Sequence, residues 1–166
     1  MRINDWLHVS GEVRAVVFDG EAGTSDAFAY LAGEPSNAVV VHDTIVHNLV
    51  SNIGRQQMTK LIVNETTARV AYLALSTSAI TPAVTDLTLP SELIRQPISV
   101  IQSSLTYYQL YSAYFATGDF SSTGIAAAAL NDTVTTGGNQ WADATVSISK
   151  STAQSATVQW TIFLSS

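Results

Sequence analysis

The strongest pattern in the chain is a period of two near its end. Ala142, Ala144, Val146 and Ile148 alternate with Asp143, Thr145, Ser147 and Ser149. Ala156, Val158, Trp160, Ile162 and Leu164 alternate with Thr157, Gln159 and Thr161. Such alternation puts one set on one face of a strand, so strands are predicted over 141–149 and 155–164, apolar sets inward. Residues 150–154 then join them as a closing hairpin. The stretch 105–116 alternates too, with Tyr108, Leu110, Ser112 and Tyr114 on one face and Tyr107, Gln109, Tyr111, Ala113 and Phe115 on the other. Aromatics on both faces imply a strand covered twice, or covered once with its other face an interface. The run 125–130, IAAAAL, is open between helix, which alanine favours, and a short buried strand, which Gly124 and the flanking strands favour.

The middle of the chain, 47–98, organises the rest. It opens with a strand-like run, His47-Asn48-Leu49-Val50. A helix follows over about 52–63, capped by Ser51 or Asn52, with Met58, Leu61 and Ile62 on one face. An apolar strand at 70–75 leads into a long loop with Pro82 and Pro90, which returns through Ser91-Glu92-Leu93-Ile94-Arg95. Upstream, 12–18 and 37–42 are β-branched runs, and Asp19-Gly20 is a turn signal. Residues 21–36 are small and polar with Gly23, Gly33 and Pro35, so a loop with a weak strand near 28–31 is expected. Residues 1–10, with Ile3, Trp6, Leu7 and Val9, read as a short docking arm. There is no repeat, heptad or linker. The expectation is mainly β, an antiparallel β-sandwich with one short α-helix at about 52–63. It forms a single domain over 1–166, with an arm at 1–10, a strand elaboration at 11–46 and a sandwich body at 47–166.

Composition adds a surface argument. A chain of 166 residues, 46% hydrophobic, can bury a real core, yet only 12% of it is charged. Beyond Gln96 the only charged side chains are Asp119, Asp132, Asp143 and Lys150. Hydroxyl-rich, charge-poor strands suit surfaces that sit against other protein. The net charge is −6, and the seven Lys and Arg are scattered, which argues against nucleic acid. No apolar run is long enough to span a bilayer and the start has no apolar leader core, so no membrane partner is expected. With no cysteine, disulfides, thiol catalysis and thiolate metal sites are all excluded.

Candidate chemistry is thin. His42, Asp43 and His47 are potential metal ligands, but their spacing puts the two histidines on opposite strand faces, and no metal site is expected. There is no G-x-S-x-G elbow and no phosphate-binding glycine motif, so neither a hydrolase triad, a nucleotide cofactor nor a small-molecule substrate is expected. Glu92, flanked by Leu93, Ile94 and Arg95, is the most notable carboxylate. Without an acid or base partner it reads as an anchor for the long loop, through backbone amides or an arginine. Asn64-Glu65-Thr66 and Asn131-Asp132-Thr133 read as turns. No catalytic residue is assigned.

Three stretches carry a resemblance: Asn48-Leu49-Val50-Ser51-Asn52-Ile53-Gly54-Arg55; Tyr72-Leu73-Ala74-Leu75 with Thr81-Pro82; and Leu89-Pro90-Ser91-Glu92-Leu93-Ile94-Arg95-Gln96-Pro97-Ile98. With the ending around Val158-Gln159-Trp160-Thr161-Ile162, they resemble a family of tailed-bacteriophage virion proteins, including the N-terminal domain of tail-collar fibre proteins. The resemblance covers roughly 45–166. Two departures stand out: Ser76-Thr77-Ser78 where the family favours glycines, and the alanines of 125–130 where it tends to carry a glutamate and a glycine. The resemblance implies a non-enzymatic virion subunit, assembled in the host cytoplasm and bound to other virion proteins and to copies of itself. A stand-alone capsid decoration or cement type is favoured, with a neck or tail-collar attachment subunit as alternative. From another class, a carbohydrate-binding β-sandwich would use Tyr107 and Tyr111 as its platform. Trp6, Tyr107, Tyr111 and Phe115 are the expected interface residues. Asn48, Asn52, Gly54, Arg55, Glu92, Arg95 and Trp160 are the structural motif.

Overall fold

The computed structural model describes residues 8–65, 68–103, 108–134 and 138–165. In chain order its elements are β1 (His8–Asp19), α1 (Gly23–Ala32), β2 (Val40–His47), β3 (Leu49–Val50), α2 (Asn52–Ile62), β4 (Tyr72–Ser76), β5 (Glu92–Pro97), β6 (Val100–Ser103), β7 (Tyr108–Phe115), β8 (Ser122–Asn131), β9 (Gln140–Lys150) and β10 (Gln154–Ser165). They build two antiparallel sheets packed as a sandwich. One runs β2-β1-β10-β7-β6 and the other β3-β9-β8-β4-β5, the two-residue β3 included. The mainly β fold expected from the alternation is therefore present, with two short helices rather than one.

The period of two explains the core. The first sheet turns inward Val13, Ala15, Val17, Tyr111, Ala113, Phe115, Ala156, Val158, Trp160 and Ile162. The second answers with Leu73, Leu75, Ile125, Ala128, Leu130, Ala142, Ala144, Val146 and Ile148. Trp160 has no exposed surface. The run 125–130 is strand, inside β8, as its neighbours imply.

Four expectations need correction. The two closing strands do not form a hairpin. β9 pairs with β8 and β3, while β10 pairs with β1 and β7 in the opposite sheet. Residues 151–153 arch from one sheet to the other. Alternation fixes which face of a strand is buried, and an arch and a hairpin both bury it in the same core.

The stretch 21–36 is not a loop with a weak strand but carries α1. Gly33 takes φ 74° just past the helix and its N–H closes onto the carbonyls of Ala29 and Tyr30, with Pro35 beyond. Gly33 and Pro35 are thus a helix stop rather than loop filler. Ala27 and Leu31, one turn apart, pack on Val16 and Phe18 of β1.

Residues 11–46 are not an elaboration: β1 sits between β2 and β10 inside the first sheet. Finally, Tyr111 and Phe115 are core residues, 6% and 0% exposed, and are unavailable as an interface or a sugar platform. Their strand is central enough that its aromatic face meets the second sheet. Trp6, Tyr107 and the arm's first seven residues lie outside the described residues; His8 to Ser10 begin β1.

The strand-like run 47–50 is split between sheets. His47 ends β2 and Leu49 begins β3 across the sandwich. Asn48 makes the crossing, its backbone N–H donating to the Gly11 carbonyl at 3.1 Å.

Candidate functional site

The outer face of the second sheet is where Glu92, Arg95 and the loop 77–91 come together. Cross-strand register lines up Arg95 with Ala74, Ala74 with Ala129 and Ala129 with Asp143. The next row holds Ser76, Ala127 and Thr145. Alanines at the centre leave the sheet low enough for the loop 77–91 to lie directly on it. Leu89 and Ile80 pack there against Ala74, Ala127 and Ala129. Hydroxyls fasten the loop on both sides: Ser76 Oγ donates to the Pro90 carbonyl, and Thr145 Oγ1 donates to the Ile80 carbonyl at 3.1 Å. Ser76 Oγ also accepts from Ser78 N at 2.9 Å. Ser76 and the alanines of 125–130 thus meet at one contact.

At the loop's return sits an ion pair. Arg95 Nε and Nη2 donate to Glu92 Oε1 and Oε2 at 2.8 and 2.6 Å, a bidentate fork. Arg95 Nη1 also donates to the Thr133 carbonyl at 2.7 Å, tying β5 to the segment after β8. The side chains of Arg95 and Glu92 are only 7% and 12% exposed. Glu92 therefore anchors the loop through an arginine, one of the two roles its neighbours suggest.

Under the loop lies an open cleft of about 390 Å³ lined by Ala79, Ile80, Thr81, Asp86, Thr88, Leu89, Pro90 and Asp143. Asp143 faces outward from β9, as its alternation predicts, but the loop covers it and it is 1% exposed. Its Oδ2 accepts from Gln140 Nε2 at 2.9 Å, while Oδ1 has no hydrogen-bond partner. Burial, and then the neighbouring Asp86 carboxylate, push the Asp143 carboxyl up to about 7. Asp86 Oδ2 itself accepts from Ala83 N at 2.8 Å. Asp86 lies on the loop and Asp143 on the sheet, so a proton held between the two carboxyls would fasten one to the other. Asp143 Oδ1 is sealed from water, while Asp86 is only half-buried. The sequence reading missed both aspartates as partners. The available signal was Asp143 alone among Ala142, Ala144 and otherwise uncharged strand positions.

The helix α2 is positioned from below. Ser51 caps it, its Oγ accepting from Gly54 N at 3.0 Å and donating to the Gln140 carbonyl at 2.6 Å. Asn52 N donates to the Val84 carbonyl at 2.6 Å, linking the helix start to the long loop. Arg55 is exposed. The Asn48 side-chain amide is buried without a hydrogen-bond partner. Lys150, unsingled by sequence, is 1% exposed; its Nζ donates to the Phe120 carbonyl at 3.0 Å, and burial lowers its pKa.

On the first sheet's outer face, Arg14 forks onto Asp43 at 3.0 and 2.7 Å, and Tyr30 Oη donates to the same carboxylate at 3.0 Å. The hydrogen bond from Arg14 is the largest influence holding Asp43 below the usual carboxylate range. Among the described residues no group of three or more His, Asp or Glu is arranged to hold a metal ion. Within the same residues, no helix is long and apolar enough to cross a membrane. Compared with protein-family models and with curated proteins, the chain matches none.

Proposed function

We propose that this chain is a non-enzymatic structural subunit of a tailed-phage virion, an accessory protein docked on the particle in the manner of a capsid decoration or cement protein. The observation that carries this reading is how the resembling stretch is used. Ser51, Gly54, Ser76, Glu92 and Arg95 hold one segment of chain to another. A surface for docking is present as well. On the outer face of the first sheet, Phe163 is 37% exposed and stands opposite half-buried Tyr108, with half-buried Leu110 on the same face. The described outward residues of β7 and β10 carry no charge, so little must be desolvated when that part of the face meets another protein. A neck or tail-collar position is the alternative within the same class. The carbohydrate-binding reading has lost Tyr111 from its platform, and no other observation favours it.

The test is proteomic. Particles purified from the source of this chain through a density gradient, then quantified by mass spectrometry, should contain it at a fixed ratio to the major capsid protein. Absence from washed particles, with the chain abundant in the lysate, overturns the proposal. Antibody labelling seen by electron microscopy separates capsid surface from neck or tail.

A further inference from the structure

Strand β2 ends the first sheet, and among the described residues nothing pairs with its outer edge. An open edge offers unpaired N–H and C=O groups to another strand, and proteins usually blunt such edges with Lys, Pro or bulges. β2 has no Lys and no Pro. Its one irregularity lies at the Val41 end, where the register with β1 shifts between Val17 and Phe18. Asp43 to His47 therefore form an open, regular edge. At the second sheet's outer edge, by contrast, β5 ends in Pro97.

We propose that this edge pairs antiparallel with the same edge of a second copy about a two-fold axis at Ile45, joining the two first sheets into one. The register follows from charge. Directly opposed residues in an antiparallel pair share a face. Asp43, Ile45 and His47 lie on the same sheet face as Arg14, with Ile45 beside Arg14 and His47 beside Glu12. Centring the axis on Thr44 sets Asp43 against the apolar Ile45 of the second copy. Centring it on Asp43 sets two carboxylates together. Centring it on Ile45 sets Ile45 against itself and Asp43 against His47 twice, so exposed apolar surface is covered and each carboxylate meets an imidazole donor. Arg14 and Tyr30 already fix the Asp43 carboxylate in place, with acceptor capacity remaining. The edge ladder spans five residues a side, so the contact is a modest one that a particle's local concentration would fill. This goes beyond the proposed function, giving the self-association expected from the sequence a surface, and does not depend on the virion.

The chain has no cysteine, so a single introduced thiol reports the register. Opposed Cα atoms in an antiparallel pair lie within disulfide range. Ile45→Cys should form a disulfide dimer under mild oxidation at tens of micromolar protein, while exposed Val39→Cys and Val41→Cys controls should not. Adding His47→Asp to Ile45→Cys sets carboxylate against carboxylate and should abolish the dimer; adding His47→Lys should keep it. Equal cross-linking at all three thiol positions, none at Ile45→Cys, or no effect of His47→Asp overturns the proposal. So does wild-type protein that sediments as a monomer at millimolar concentration. A chain found in purified particles without Ile45 cross-linking loses this inference alone. Cross-linking by a chain absent from particles loses the virion reading alone.

Discussion

Gly54 is pressed against the backbone of Trp141. A Cβ built on Gly54 falls well inside contact distance of the Trp141 carbonyl oxygen, carbon and Cα. The neighbour is backbone held in a central strand, so it cannot swing aside as a side chain would. Only a residue with no Cβ lets α2 start this close to β9. The glycine in the motif is therefore a packing requirement, since no positive φ demands it.

Gly54→Ala should destabilise the chain by about 3 kcal/mol, the upper end of the usual cost of overpacking. Urea titration followed by tryptophan fluorescence measures it. An unchanged midpoint would mean that α2 is not docked against Trp141.

The Glu92–Arg95 fork gives a second expectation. Arg95→Ala leaves a largely buried carboxylate without its cation and should cost about 3 kcal/mol. Replacing both residues together, Glu92→Leu with Arg95→Met, should recover most of that loss, because no unpaired charge then remains. The loop 77–91 should become sensitive to protease in the single variant and resistant again in the double. Equal loss in both would show that the fork acts through its shape rather than its charge.

Asp143 predicts a pH dependence. Its carboxyl has an ordinary value of 3.8 and is raised to about 7 in the fold. The folded chain keeps a proton that the unfolded chain releases between these values. This stabilising contribution is complete below the lower value, falls as pH rises through the interval and is absent above the upper one. The gap between these two values corresponds to a difference on the order of 4 kcal/mol. Asp143→Asn keeps a donor facing Asp86 and cannot ionise. Calorimetric melting from pH 4 to 8 should show the wild type losing stability relative to Asp143→Asn as pH rises, with the gap level above about pH 7. Parallel curves for the two proteins would remove the shared-proton account of this loop.

Local sequence determined every strand with sustained alternation, because a period of two is a property of neighbours along the chain. It also determined the cap and apolar face of α2, where Ser51 and the spacing of Met58 and Leu61 act within a few residues. Glu92 and Arg95, three apart, were legible as an anchor for the same reason. The helix α1 was written in Gly33 and Pro35, but the surrounding Gly, Ser and Thr outweighed that signal until Val16 and Phe18 supplied a surface for Ala27 and Leu31. Partner choice belonged to tertiary structure alone. β9 and β10 look alike in pattern, yet the three residues between them arch across the sandwich and β10 pairs with β1 and β7 over long registers. Tyr111 and Phe115 became core for the same reason, since which aromatic face meets the opposite sheet is decided by the strand's place in its own sheet. Asp86 and Asp143 come together only when the loop settles on the alanines of β8. A carboxyl's proton affinity depends on what covers it and what stands beside it, and both here come from residues distant in the chain.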